Sequence, residues 1–170
     1  MATSFTLKHD FPGIELDLFE EHLNHPELVK ELGAMPGMKS RELISEKKAG
    51  NGDTLWQFKV VVDSKLPRAM EKIVSQEMMS WQESSRFSRP EHCIYWEMEP
   101  FMGKTKFQSS GTWELSEYDE GTRRIINGEV SIKVPFVGKA IEAFMVSEIK
   151  KSYEVEPTIQ LEFYQRKQEG

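Results

Sequence analysis

The sequence contains one cysteine and no long apolar segment. Of its 170 residues only Cys93 is a cysteine, so the chain can form neither an internal disulfide nor a cysteine-rich metal site. No apolar run approaches the ~20 residues of a membrane-spanning helix, and residues 1–10 lack the layout of a signal peptide. A lone thiol fits a reducing compartment. We therefore expect a soluble, cytoplasmic protein.

The sequence is also short of positive charge. Its 22 Lys and Arg against 28 Asp and Glu give a formal net charge of −6. Basic residues never run beyond two in a row, as in Lys47-Lys48, Arg123-Arg124 and Lys150-Lys151. Nucleic-acid binding depends on a basic surface that neutralises phosphates. We therefore expect no nucleic-acid partner.

Internal repeats, low-complexity stretches and Pro/Gly/Ser-rich linkers are absent from the sequence. Nothing in the composition marks a boundary between two units. A chain of this length can bury a sizeable core without disulfides or metals. We therefore predict a single domain over residues 1–170.

The spacing of apolar residues changes its period twice along the chain. Residues 4–8 alternate as in a short strand, and residues 14–33 follow a helical period that Pro26 divides into two short helices. From 38 to 135 the period is two, with turns between six further strands. Helical spacing returns over residues 137–167.

Only the C-terminal helix is long enough to cover a curved sheet. Consecutive hairpins make an antiparallel meander, and its apolar face must be buried against another element. About 30 helical residues span ~45 Å, and we expect Pro157 to kink or divide them. The sequence thus predicts an α+β fold, in which a seven-stranded curved antiparallel sheet wraps around a long C-terminal helix. Two short helices follow strand 1.

One local signal conflicts with this order of strands. The pair Asn127-Gly128 is typical of a hairpin tip, but the arm before it would be very short. A glycine inside a strand often marks a bulge or a sharp bend. We therefore predict one long strand over residues 122–135, bent at Gly128.

The predicted element order resembles the helix-grip fold of the START-like superfamily, which includes pollen-allergen-like proteins and polyketide cyclases. A closer similarity lies in Gly111-Thr112-Trp113 and in residues 128–135 and 138–142. These segments are similar to a bacterial branch of the superfamily to which no function is assigned. The resemblance implies that the space between sheet and helix holds a hydrophobic molecule.

The inward-facing aromatic and aliphatic residues are the candidate lining of such a cavity. From the pattern alone a filled core is favoured, because protein interiors are close-packed, whereas the resemblance favours a cavity. The candidate ligand-binding residues are Trp56, Phe58, Val60, Trp81, Ile94, Trp96, Met98, Phe107, Trp113, Val130, Ile132, Ile141, Phe144, Met145 and Ile149.

Polar motifs point to no catalytic residue, no metal and no cofactor. His22 and His25 are three residues apart, but Pro26 between helices spoils a shared face. Cys93 and its neighbour His92 would point to opposite faces of a strand, so they cannot pair directly. Glu97 and Glu99 fall on the outward phase and Gly103-Lys104-Thr105 fits a hairpin turn better than a phosphate loop.

Our leading hypothesis is therefore the binding or carriage of a lipid-, sterol- or polyketide-like molecule. A cyclase or hydratase would need an ionisable group facing the cavity, and a protein-interaction module would need a filled core and an exposed patch. The apolar segment Pro135-Phe136-Val137-Gly138 is interpreted either as a tip that transiently touches a membrane or partner, or as a connection with Phe136 packed down. The ligand's identity and the oligomeric state stay open.

Overall fold

The computed structural model describes residues 2–63, 65–103 and 105–170. Seven strands, four α-helices and one 3-10 turn follow one another in those ranges. Their bounds are β1 Thr3–Phe11, α1 Leu16–Glu21, α2 Pro26–Gly33, β2 Met38–Lys48, β3 Thr54–Val62, α3 Arg68–Glu71, the 3-10 turn Gln76–Met78, β4 Trp81–Ser88, β5 Cys93–Pro100, β6 Phe107–Tyr118, β7 Gly121–Ile132 and α4 Gly138–Glu169.

The seven strands form one antiparallel sheet in the order β1-β7-β6-β5-β4-β3-β2. The order follows the chain except at β1, which joins the far edge beside β7. Helix α4 packs against β1 and β7 and is also in contact with α2. The predicted α+β helix-grip fold, with two short helices after the first strand, is confirmed.

Strand β7 runs through Gly128 without interruption. Gly128 pairs with Phe5 on one side and with Gly111 on the other, so Asn127-Gly128 is no hairpin tip, as predicted, although the strand ends at Ile132 rather than at residue 135. A Cβ on Gly128 would lie 2.9 Å from Cζ2 of Trp96, and one on Gly111 would lie 2.6 Å from the same atom. The paired glycines therefore make room for the Trp96 indole on the inner face of the sheet.

Helix α4 is continuous over its 32 residues, with Pro157 inside it. Proline has no N–H to give to the carbonyl four residues back, so Tyr153 receives no helical hydrogen bond from position 157. Pro157 does not divide the helix into two. At 1.5 Å per residue α4 is about 48 Å long and can cover the whole sheet.

The buried residues form two clusters. The larger one lies between the inner face of the sheet and the first half of α4, and it includes Phe58, Ile126 and Ile141. The smaller one joins α1 and α2 to the end of α4 through Phe19 and Phe163. None of the helices in the described part of the chain has the length together with the apolar composition of a membrane span.

Candidate functional site

A cavity of about 570 Å³ lies between the sheet and α4. Its wall comes from inward positions on β2 to β7, from one side of α4 and from the segments that lead into β2 and β4. The volume is within the ~300–1,000 Å³ of small-molecule sites. Close-packed interiors leave few voids larger than a water molecule, so this space is not ordinary packing imperfection.

Ten of the fifteen sequence-predicted residues line the cavity. They share the inner face of the sheet and the facing side of α4. These ten are Trp81, Ile94, Trp96, Met98, Phe107, Trp113, Val130, Ile132, Met145 and Ile149. That they contact a ligand stays a prediction.

The other five predicted residues do not line the cavity: Trp56, Phe58, Val60, Ile141 and Phe144. All five belong to the larger core cluster or pack against it, so their inward direction is right, but neighbouring side chains separate them from the open space. The Arg41 guanidinium lies 4.2 Å from the Phe58 ring centre. The Trp56 ring stacks against Phe87 at 6.3 Å.

Several methionines that line the cavity were not among the residues predicted from the sequence. Met35 and Met38 flank the α2–β2 connection, and Met78 and Met79 precede β4; all four line the cavity. Methionine has a flexible, polarizable side chain that adapts to irregular surfaces. Met35 and Met78 lie outside the strands, where period-two spacing has no meaning. Met38 begins β2 and Met79 shares the phase of Trp81, so the spacing pointed to both, although neither entered the predicted set.

The cavity wall also carries an ion pair. Nη2 of Arg41 donates to Oε2 of Glu83 at 2.8 Å, and the two side chains are 17% and 11% exposed. Both residues line the cavity. A guanidinium has five N–H donors, so Arg41 keeps donors beyond those that Glu83 accepts.

A second ion pair lies deeper. Arg124 is fully buried and donates to both carboxylate oxygens of Glu156, from Nη1 at 3.0 Å and from Nη2 at 2.9 Å. Its guanidinium carbon lies 4.5 Å from the centre of the Trp113 ring. Glu156 lines the cavity, whereas Arg124 stands behind it. The geometry is the bidentate one that gives strong, oriented pairs.

His9 is a further hydrogen-bond partner of Arg124 in the second pair. Burial and then the neighbouring positive charge of Arg124 lower the pKa of His9 from 6.5 to about 4, so the ring is neutral at pH 7. Nη2 of Arg124 lies 2.9 Å from Nδ1 of His9. Because a guanidinium only donates, Nδ1 must be the acceptor and the ring proton sits on Nε2.

Tyr153 adjoins both the second pair and the open space, and its ring centre lies 5.4 Å from the Arg124 guanidinium carbon. Its ring stacks on His9 at 5.7 Å, and it lines the cavity. Burial, and secondarily the Glu156 charge, raise the pKa of Tyr153 well above its usual value. The phenol therefore stays protonated at neutral pH and presents a hydrogen-bond donor.

Unpartnered polar atoms concentrate in this wall. Eight buried side-chain nitrogen or oxygen atoms of the described residues have no hydrogen-bond partner, and five of them belong to residues that line the cavity. These five are Arg41 Nε, Trp81 Nε1, Trp96 Nε1, Gln160 Oε1 and Tyr164 Oη. Buried polar atoms are nearly always satisfied, and each exception calls for an explanation; ordered water or polar groups on a bound molecule would supply the partners.

Two charged residues in or behind the cavity wall were missed although the strand phase pointed to them. Glu83 shares the phase of Trp81 on β4, and Arg124 shares the phase of Ile126 on β7. Extending each apolar phase by two residues would have placed both inside. Only the apolar members of each phase entered the predicted set.

Solved structures of other proteins share this arrangement of sheet and helix. TTHA0849 from Thermus thermophilus is 14% identical, with a TM-score of 0.67 over 96% of this chain and 98% of that one. The ZhuI aromatase/cyclase from Streptomyces sp. R1128 is 11% identical, with a TM-score of 0.62 over 98% and 94%. A START superfamily protein from Mycobacterium smegmatis is 10% identical, with a TM-score of 0.54 over 97% of each chain. The chain therefore has the START-like helix-grip fold.

Among proteins with this fold, the sequence assigns the chain to one family. Residues 6–162 match the family described as "Protein of unknown function (DUF2505)", and the chain belongs to this family. No protein of curated function matches the sequence.

Proposed function

We propose that this protein binds a hydrophobic small molecule in the cavity between the sheet and α4. The observation that carries the proposal is the cavity itself, about 570 Å³ of space inside a wall dominated by aromatic, aliphatic and methionine side chains. Sites of this size and character are typical of small-molecule binding. Lipid-, sterol- and polyketide-like molecules have the required apolar surface.

The ligand is amphipathic rather than a pure hydrocarbon. Arg41 and Trp81 lie on either side of Val60 in the paired strands β2, β3 and β4, and each has a buried N–H without a partner. An oxygen-bearing group seated near them would accept from the guanidinium or the indole after a small adjustment of the side chains. A buried donor left without a hydrogen bond costs about 1–3 kcal/mol, which favours a ligand with oxygen at that end.

Native mass spectrometry of protein purified without detergent tests the proposal. We expect a stoichiometric adduct whose organic extract contains an amphipathic compound. Ile149→Trp, on the cavity side of α4, should abolish the adduct because the larger side chain takes up the space. Lys150→Trp places the same side chain on the neighbouring, exposed position and should retain it. An adduct that persists equally in both variants places the ligand elsewhere.

An enzyme of the cyclase or hydratase kind is the second candidate. Glu83 and Tyr153 face the cavity and are of the types that act in general acid–base catalysis. Among proteins of similar fold, ZhuI is described as an aromatase/cyclase.

The mass of the recovered ligand separates the two candidates. The extracted compound is reloaded onto fresh protein, incubated and extracted again. A carrier returns it unchanged. A cyclising dehydration lowers its mass by one water and a hydration raises it by one, and Glu83→Gln should suppress either change if Glu83 transfers the proton.

A further inference from the structure

Two loops at one end of the sheet expose apolar side chains. One loop joins β5 to β6 and the other joins β7 to α4. The end of the first loop and the start of the second are hydrogen-bonded to each other: the backbone N–H of Lys133 donates to the carbonyl of Lys106 at 2.8 Å. We call Phe101, Met102 and Phe136, together with Lys106 and Lys133, the tip.

The apolar residues of the tip are unusually exposed. Seven large hydrophobic side chains are exposed in the described residues, and three of them belong to the tip: Phe101 at 40%, Met102 at 52% and Phe136 at 106%. Single exposed hydrophobic residues are common, but a group of them marks an interaction site.

The fully exposed Phe136 also has an unusual backbone conformation. Its φ is +69°, and it is the one apolar residue among the five non-glycine residues of the described chain with positive φ. A bulky side chain rarely adopts this conformation, and such outliers cluster at functional positions. The expected alternative, in which Phe136 packs down against the protein, is not what the structure shows.

The charge of the tip differs from that of the whole chain. Residues 101–106 and 133–139 contain four lysines and no acidic residue, although the chain carries a net charge of −6. Lys106 and Lys133 are exposed. Lys59, on the outer face of β3, adds a further cation 5.7 Å from the Phe101 ring centre. Lys139 is paired with Glu142 at 3.0 Å, so the cations of the tip are Lys106 and Lys133. Beside exposed aromatic residues, these two lysines complement a negatively charged surface.

The tip also adjoins the cavity. A Cβ on Gly103 would lie 3.1 Å from the Phe107 ring and 3.8 Å from Cε of Met78. Phe107 and Met78 line the cavity. Gly103, which follows Met102 of the tip, therefore lies against two residues of the cavity wall.

We infer that the tip docks on the surface of a membrane that contains anionic phospholipids. Phe101, Met102 and Phe136 enter the boundary between headgroups and acyl chains, while the lysines bind lipid phosphates. This combination of apolar and basic groups is the one that peripheral proteins use to bind membrane surfaces. Docking would bring the cavity wall at Phe107 and Met78 next to the lipid. The inference does not depend on what the cavity holds.

Vesicle co-sedimentation tests the inference. Full-length protein is mixed with vesicles of phosphatidylcholine and phosphatidylglycerol in equal parts, and with vesicles of phosphatidylcholine alone. We expect sedimentation with the anionic vesicles, weakened by added salt because exposed charges are screened. Wild-type protein that remains in the supernatant overturns the inference and leaves the tip to a protein partner.

Matched variants locate the contact. Phe136→Ser should weaken binding about tenfold, in line with the loss of one buried aromatic side chain, whereas Ile44→Ser, at an exposed position on β2, should not change it. Lys106→Gln with Lys133→Gln should weaken binding roughly twenty-five-fold, at about fivefold per lysine. Lys8→Gln with Lys47→Gln removes two exposed lysines elsewhere and should have little effect. Equal losses in the tip variants and their controls contradict the assignment, and circular dichroism confirms that each variant is folded.

Discussion

The two arginine–glutamate pairs of the inner wall have the same chemistry and different surroundings. Arg124 gives two hydrogen bonds to Glu156 and a third to His9, and its side chain is fully buried. Arg41 gives one hydrogen bond to Glu83 and lines the open cavity. The Arg124 guanidinium makes three hydrogen bonds to protein groups, with only its Nε unpartnered. The Arg41 guanidinium makes one and belongs to a residue that lines the cavity.

The rings around each pair increase the contrast. Three aromatic ring centres lie within 5.5 Å of the Arg124 guanidinium carbon, those of Phe11, Trp113 and Tyr153. Arg41 has one such neighbour, Phe58. Aromatic faces attract cations and help to offset the loss of water. Removing one member of a buried pair leaves the other charge uncompensated, and we expect this coupling to folding to be strongest at Arg124, whose side chain is fully buried. Arg41 and Glu83 are instead positioned to meet a ligand.

The largest expected effect is on the stability of Arg124→Met. Removing the guanidinium leaves Glu156 charged and buried without its partner, which typically costs 3–5 kcal/mol, or about 4 kcal/mol here. Urea denaturation measures the free energy of unfolding. Adding Glu156→Leu should recover much of the loss, because no buried charge then remains. Arg41→Met is the matched control, and an equal loss there would remove the distinction between the pairs.

The next effect is on ligand binding by Arg41→Met. The substitution keeps an unbranched side chain of similar length but removes the guanidinium donors of a residue that lines the cavity. We expect the affinity for the co-purified compound to fall about tenfold, since a hydrogen bond to a charged group contributes about 1.5–3 kcal/mol. Competition binding with the extracted compound measures the change. Unaltered affinity would mean that the ligand's polar end lies elsewhere in the cavity.

The order of elements was predictable from the sequence because each element has a clear period. The alternation of apolar and polar residues placed Trp96 and Met98 on one face of β5, and helical spacing placed Met145 and Ile149 on one side of α4. Both pairs line the cavity. The period of apolar residues indicates which side chains point to the inner face of the sheet. That direction was enough to place ten of the fifteen predicted residues in the cavity wall.

The remaining features depend on distances across the sheet, which period does not contain. Whether Phe58 meets open space depends on Arg41, which stands on a neighbouring strand and covers its ring at 4.2 Å. The pairing of Arg124 with Glu156 joins residues 32 positions apart on a strand and a helix. Such partners are fixed by the strand register and by the placement of α4. Neither can be read from the spacing of apolar residues in one sequence.

The smallest effect concerns the pH dependence that His9 gives to the buried pair. The pKa of His9 is lowered from 6.5 to about 4 in the folded protein, so below pH 6.5 the unfolded chain binds a proton that the folded chain does not. Stability is therefore complete above pH 6.5 and decreases as the pH falls towards about 4. Because the ring is only partly buried, we expect a loss on the order of 1 kcal/mol rather than the full value of the shift.

His9→Gln keeps an oxygen acceptor for Arg124 but does not titrate, so urea denaturation at a series of pH values should show a flatter dependence in this window. An unchanged slope would mean that another group takes up the proton, and that Arg124 is held by Glu156 and its aromatic neighbours without a contribution from the protonation state of His9.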